Sequence, residues 1–182
     1  IGDYQAIHLS ALNEKCRVLG VDFRVTNIDE AVMYVLSHHE KLKGKYICFS
    51  NSHTAVLSRE NKDYQDVQNG AAYVFADGMP VVWQQKKNGF AMAERVAGPD
   101  FMETMFRASM NGSVTHYFYG STPENIEQLG VKLPESYPGI IIKGMYSPPF
   151  RPVTKEEDEE DIKRINESGA DIVWVGLGAP KQ

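Results

Sequence analysis

The chain has 182 residues, of which 42% are hydrophobic and 24% charged, enough apolar material for a sizeable core and too much for a disordered or fibrous protein. A formal net charge of -5 argues against a protein whose main work is to neutralise nucleic-acid phosphates, so no nucleic-acid partner is expected. No apolar run approaches the ~20 residues that span a bilayer, no basic and apolar leader opens the chain, and Cys16 and Cys48 lack CxxC spacing; the reading is a cytosolic chain with reduced thiols.

Residues Val18 to Val25 read as a short strand or hairpin arm. Thr26 and Asn27 then cap a helix from about Ile28 to Lys43, with Asp29 and Glu30 in its first turn and Gly44 at its end. Tyr46 to Ser50 is an apolar strand, Asn51 to Glu60 and Asp63 to Asn69 are helical, and Ala72 to Ala76 is the next strand. A helix at Pro80 to Lys87 follows, then the loop Asn88-Gly89 and a helix opened by Pro99 and Asp100 that runs to about Met110.

Thr115 to Tyr119 reads as a strand leaving through Gly120-Ser121-Thr122-Pro123 into a helix at Glu124 to Ser136. Gly139 to Lys143 is the next strand, and GMYSPPFRP after it is too proline-rich for a regular element. Thr154 caps the acidic helix KEEDEEDIKRINES, with Ile162 and Ile165 as its inward face and Gly169 as its stop. Asp171 to Val175 is the last strand. Short apolar strands separated by helices predict an α/β fold, a Rossmann-like parallel sheet with helices on both faces. The reading takes residues 1–182 as a single domain, and expects a piece of a longer polypeptide cut short at its C-terminal side, because VWVGLGAPKQ opens a turn that should lead into a helix.

Four strand exits carry polar or glycine-rich residues: Ser50-Asn51-Ser52-His53, Asp77-Gly78, Gly120-Ser121-Thr122 and Gly176-Leu177-Gly178-Ala179-Pro180-Lys181-Gln182. Ligands of open α/β sheets collect at such carboxyl ends, so the four are candidates for one shared crevice. Asp77 is either the cap of the helix after it or a general base beside a glycine that admits a ligand. Gly120-Ser121-Thr122 offers either an ordinary capped helix start or N–H groups and hydroxyls for a phosphate. Arg95, following Lys86 and Lys87, either clamps an anion or pairs with Glu94 or Asp100. His53 reads as a core or cap histidine, and His38, His39 and Glu40 as surface without HExxH spacing. There is no DxD after a strand and no Walker loop, so no metal is expected; GLGAP is at best half of a dinucleotide fingerprint.

The segments VLGVDF, FSNSHTAVL, FADGMPVVW, ERVAGPDFME, HYFYGSTPENIEQL, YPGIIIKGMYSPPF and ADIVWVGLGAPKQ, in this order from Val18 to Gln182, together resemble the WecG/TagA/CpsF family of bacterial glycosyltransferases. The resemblance implies an inverting, metal-independent transfer of N-acetylmannosamine or a related hexose from a UDP-sugar to a polyprenyl-diphosphate-linked saccharide acceptor, in teichoic acid, enterobacterial common antigen or capsule assembly. No cofactor is implied beyond the UDP-sugar substrate. The family's aspartate of the DG motif falls on Asp77 as base, its asparagine on Asn51, its RVxGxD cluster on Arg95, Gly98 and Asp100, and the glutamine of GAPKQ on Gln182, with nucleotide contacts at Gly120, Ser121 and the turn around Gly178. It also implies a cytoplasmic protein held peripherally at the inner face of the cell membrane through a further C-terminal region; a homo-oligomer stays open. One departure is Phe49, where family members with a T-x-N motif carry threonine, so Ser50 or Ser52 is the candidate replacement hydroxyl. Two other readings stand beside this one, a dinucleotide-dependent oxidoreductase and a non-catalytic nucleotide-sugar binder.

Overall fold

The computed structural model describes residues 13–178. The chain is mixed α/β with parallel strands, Rossmann-like as predicted, and forms two compact units that divide between Met105 and Phe106.

The first unit opens with an antiparallel hairpin, β1 (Lys15–Val18) and β2 (Val21–Arg24), in register with Val18 opposite Val21. The two-residue link needs left-handed backbone at both positions, and Leu19 (φ 50) and Gly20 (φ 88) adopt it. Helix α1 (Ile28–His38) starts where the Asn27 side chain accepts the Glu30 N–H; the helix predicted to Lys43 stops at His38, and 39–42 tighten into a 3-10 turn. Strand β3 (Ile47–Ser50) leads to α2 (Ser52–Glu60), Asn61 then starts α3 (Lys62–Gly70), and β4 (Tyr73–Ala76) follows. Strands β3 and β4 pair in parallel, Phe49 opposite Phe75 and Ser50 opposite Ala76. Alternation along a strand therefore sets Phe49 and Phe75 on one face, and projects Asn51 and Asp77 from the two exits on that same side. Helix α4 (Met79–Lys87) follows β4 directly, and α5 (Gly98–Ala108) begins after a segment tied to β4 by the Val96 N–H to the Ala76 carbonyl, 2.9 Å. Val18, Val21, Phe23, Val74, Ala76, Val81 and Val82 are buried together as the core of this unit. On the other face Phe49, Phe75 and Phe101 of α5 pack ring to ring with centroids 5.1–5.8 Å apart.

In the second unit β5 (Thr115–Gly120) is the middle of three parallel strands, between β6 (Ile141–Tyr146) and β7 (Ile172–Gly176). Helices α6 (Pro123–Ser136) and α7 (Lys155–Ser168) start at threonines, Thr122 and Thr154, whose hydroxyls accept the N–H groups three residues on. Two expectations are corrected. The strand expected at Gly139 to Lys143 runs through Gly144 to Tyr146, since a β-carbon at Gly144 would lie 2.5 Å from the Tyr117 ring and glycine alone lets the two strands stay paired. The most buried residue of α7 is Asp161, 5% exposed; of the two isoleucines expected to face inward Ile165 is half-buried, whereas Ile162 is 51% exposed. Burial of that carboxylate is compensated by the Tyr119 hydroxyl at 2.8 Å and the Arg164 guanidinium at 2.9 Å.

Candidate functional site

The first unit brings together Asn51, Asp77, Arg95, Gly98 and Asp100. The peptide N–H of Asp77 bonds the Ser50 carbonyl at 3.0 Å, which extends the β3–β4 pairing one step past β4 and fixes the aspartate at the exit. Asp77 does not cap the helix after it: the cap of α4 is Gly78, and no side chain bonds that helix's first N–H groups. Its half-buried carboxyl instead faces the Gly98 N–H at the start of α5. Burial pushes the group above its ordinary value; the Gly98 N–H and the Arg95 charge pull it down, and the Asp100 charge adds to the rise. The result is a carboxylate more basic than a free one and partly open to solvent, which suits proton abstraction.

Asn51 is the cap of α2, its side-chain oxygen accepting from His53 at 3.0 Å and Thr54 at 3.2 Å while the Thr54 hydroxyl accepts the Asn51 N–H at 2.9 Å. With the oxygen committed to the helix, the amide –NH2 is what Asn51 can offer a ligand. Arg95 and Asp100 are exposed and joined at 2.6 Å, so the arginine pairs with Asp100 rather than with Glu94. Of the two serines considered as substitutes for a threonine at Phe49, Ser50 is fully buried and bonded to the Thr54 hydroxyl at 2.7 Å, while Ser52 is exposed in the first turn of α2. His53 is exposed rather than part of the core; its backbone N–H serves the Asn51 cap.

A groove of about 390 Å³ in the same unit is lined by Arg17, Val18, Leu19, Ser52, Ala55, Pro80, Val81 and Gln84. Nothing in the local sequence signals it, because it is assembled from the hairpin and the first turns of α2 and α4.

The second unit holds Gly120, Ser121 and Gly178. Gly120 (φ 121) has no alternative, since a β-carbon there would lie 2.5 Å from the Gly176 carbonyl oxygen. Ser121 sits in the left-handed region (φ 64), donates its N–H to Gly176 at 3.2 Å, and receives the Asn125 amide and the Ser147 hydroxyl at 3.1 and 2.8 Å on its side-chain and carbonyl oxygens. The Thr122 hydroxyl caps α6. The Ser121 hydroxyl proton is what this edge can present to a ligand, and at Gly178 (φ 75) the backbone is left-handed. Ser147 was not anticipated, because it lies in the proline-rich stretch read as irregular. Gln182 lies outside the described residues.

Tyr146, Ser147, Pro149, Arg151, Glu157, Glu160 and Asp161 line a second cavity of about 410 Å³. Arg151 crosses its rim in a two-pronged pair with Glu157, 2.6 and 2.8 Å, which holds the Glu157 carboxyl well below the usual range, at about 2. Both thiols are unpaired, Cys16 buried and Cys48 half-buried, and burial pushes Cys48 up to about 11. Among the described residues no helix is long and apolar enough to cross a membrane. Compared with known protein families, residues 16–182 match the model of the glycosyl transferase WecG/TagA/CpsF family.

Proposed function

We propose, for a chain that belongs to the WecG/TagA/CpsF family of glycosyl transferases, an inverting transfer of N-acetylmannosamine or a related hexose from a UDP-sugar to a polyprenyl-diphosphate-linked saccharide, in cell-wall or extracellular polysaccharide synthesis. The observation that carries it is Asp77: a half-buried carboxylate at a strand exit, free of any capping duty, facing the Gly98 N–H and made more basic by burial. In this reading Asp77 takes the proton of the acceptor hydroxyl as that oxygen attacks the anomeric carbon. The bond from that carbon to the diphosphate oxygen breaks, its electron pair leaves with UDP, and the configuration inverts. Within the first unit the Asn51 amide orients the acceptor or donor sugar, and Arg95 released from Asp100 meets a diphosphate oxygen. No metal takes part, and charge on the leaving diphosphate is met by N–H groups and guanidinium.

The apolar side of the groove, Val18, Leu19, Ala55 and Val81, supports an acceptor whose aglycone is hydrocarbon. A peripheral place at a membrane is supported by α4, where Trp83 is 62% exposed and Lys86 and Lys87 follow it. The family match displaces the dinucleotide-dependent oxidoreductase reading. The test is Asp77→Asn assayed with a panel of UDP-hexoses and a short polyprenyl-diphosphate-linked saccharide. The expected result is retained UDP binding with turnover lower by roughly 10²–10⁴-fold; unchanged turnover sinks the assignment of the base.

A further inference from the structure

Helix α4 carries apolar side chains on two faces, and the core uses one of them. Val81, Val82 and Gln85 point inward and are buried, the two valines as part of the core of the first unit. Met79, Pro80, Trp83, Lys86 and Lys87 recur at intervals of three and four residues on the opposite face, and all are exposed, Trp83 at 62%. Leu19 at the hairpin turn is a second apolar residue that the fold does not bury. It is 38% exposed, and its left-handed backbone (φ 50) is one that glycine or asparagine adopts more easily. These residues belong to one surface, because Pro80, from the outward face of α4, lines the same groove as Arg17 and Leu19.

That surface is also cationic. From Met79 to Met92 the chain has no acidic residue. Lys86 and Lys87 enter no ion pair among the described residues, and Arg17 is loosely paired, its guanidinium 3.6 Å from the Asp22 carboxylate. With the whole chain at -5, a basic and apolar patch is a local departure from the average. A second copy seated on it across a two-fold axis would set these cations against their own kind. An anionic bilayer offers the reverse: phosphates for the lysines, and a headgroup layer that takes an indole with its N–H toward water.

We propose that the outward face of α4, with Arg17 and Leu19 of the hairpin beside it, is a lipid-docking surface that seats the first unit on an anionic bilayer with Trp83 in the headgroup layer. It puts a membrane contact in this unit, apart from the further C-terminal region to which the resemblance assigns one. The inference rests on the transferase reading for the presence of a lipid acceptor. The groove of Val18, Leu19, Ala55 and Val81 then opens at the bilayer, and a hydrocarbon chain enters it without crossing water.

The experiment mixes the full-length protein with vesicles of phosphatidylcholine, alone or with phosphatidylglycerol, that carry bromine-labelled lipid to quench tryptophan emission. The expected result is binding that needs phosphatidylglycerol and weakens with salt, with quenching that disappears in Trp83→Phe because Trp174 is buried in the second unit. Lys86→Gln combined with Lys87→Gln should weaken binding roughly 10–30-fold, with Tm and transfer to a short water-soluble acceptor unchanged. Vesicle binding without quenching of Trp83 overturns the proposal, since another part of the chain then makes the contact. So does an absence of binding, or a Trp83 signal that changes with protein concentration when no lipid is present, which marks a second copy as the occupant. Trp83-dependent vesicle binding with no transfer from any UDP-hexose bears out the surface and defeats the transferase reading alone.

Discussion

Asp77 in the first unit and His116 in the second are both titratable groups withdrawn from water, and burial moves each toward its neutral form. His116 is fully enclosed, and its two ring nitrogens are both used: Nδ1 accepts the Trp174 indole N–H at 3.1 Å, which puts the proton on Nε2, and Nε2 donates to the Ser109 hydroxyl at 2.9 Å. That tautomer leaves the imidazole no free lone pair with which to activate the serine, so a Ser–His pair that resembles a nucleophile and base is a structural strut. Asp77 is only half enclosed, faces the Gly98 N–H without a side-chain partner that caps or clamps it, and is bordered by a glycine on its C-terminal side. Under the proposed function, what separates Asp77 from His116 is spare bonding capacity in a group that is partly open to solvent.

The sharpest way to break this comparison is to substitute both acids and bases and see which readout moves. Asp77→Asn should abolish most turnover, roughly 10²–10⁴-fold, with little change in Tm, because the side chain is half-buried, caps no helix and is replaced by one of nearly the same shape. Turnover is the measurement for Asp77. For His116 the measurement is stability against pH. Burial holds the folded imidazole down at about 4 against 6.5 when unfolded, so between those values the unfolded chain binds the extra proton. Stability contributed by neutral His116 is therefore complete above about pH 6.5 and is lost as the pH falls towards 4, by ~3 kcal/mol in all. His116→Gln should flatten that part of the curve; a curve with the same slope in the variant would assign the acid sensitivity elsewhere.

A smaller effect is expected at Asp161. Tyr119→Phe removes the hydroxyl that bonds Oδ2 and leaves a buried carboxylate held by Arg164 on its other oxygen. The cost is about 1–3 kcal/mol by urea unfolding, with transfer rates affected no more than the loss of folded protein explains. This pair also shows where sequence reading runs out. Asparagine and threonine helix starts, the apolar strands and the Asp77 exit are legible because their signals are local, spaced by three or four residues. Asp161 is not, since its partner lies 42 positions away and the apolar Ile162 beside it is the better local candidate for burial. Gly144 misleads in the same manner: glycine followed by prolines reads as loop, and only the Tyr117 ring on the neighbouring strand explains why β6 passes through it. For Asp77 itself, local grounds lean slightly to the cap, and it took the helix start itself, where Gly78 holds the cap position and no side chain bonds the first N–H groups, to set that reading aside.

The finest distinction concerns the pair beside Asp77. Arg95 and Asp100 act on its carboxyl in opposite senses, the guanidinium lowering and the carboxylate raising its pKa, and they neutralise one another across 2.6 Å. If Asp77 is the base, the rate falls on the acid side as Asp77 becomes protonated, so the acidic limb of kcat/KM follows its pKa. Asp100→Asn removes a nearby negative charge and also frees the guanidinium to interact with Asp77; both changes favour the carboxylate, and the limb should move to lower pH. Arg95→Gln removes the positive charge and leaves Asp100 unpaired; both changes favour the protonated acid, and the limb should move to higher pH. Two mates of one ion pair then shift one limb in opposite directions, which a general disturbance of the site would not produce. A limb that moves the same way in both variants, or in neither, means that the titrating group is not Asp77.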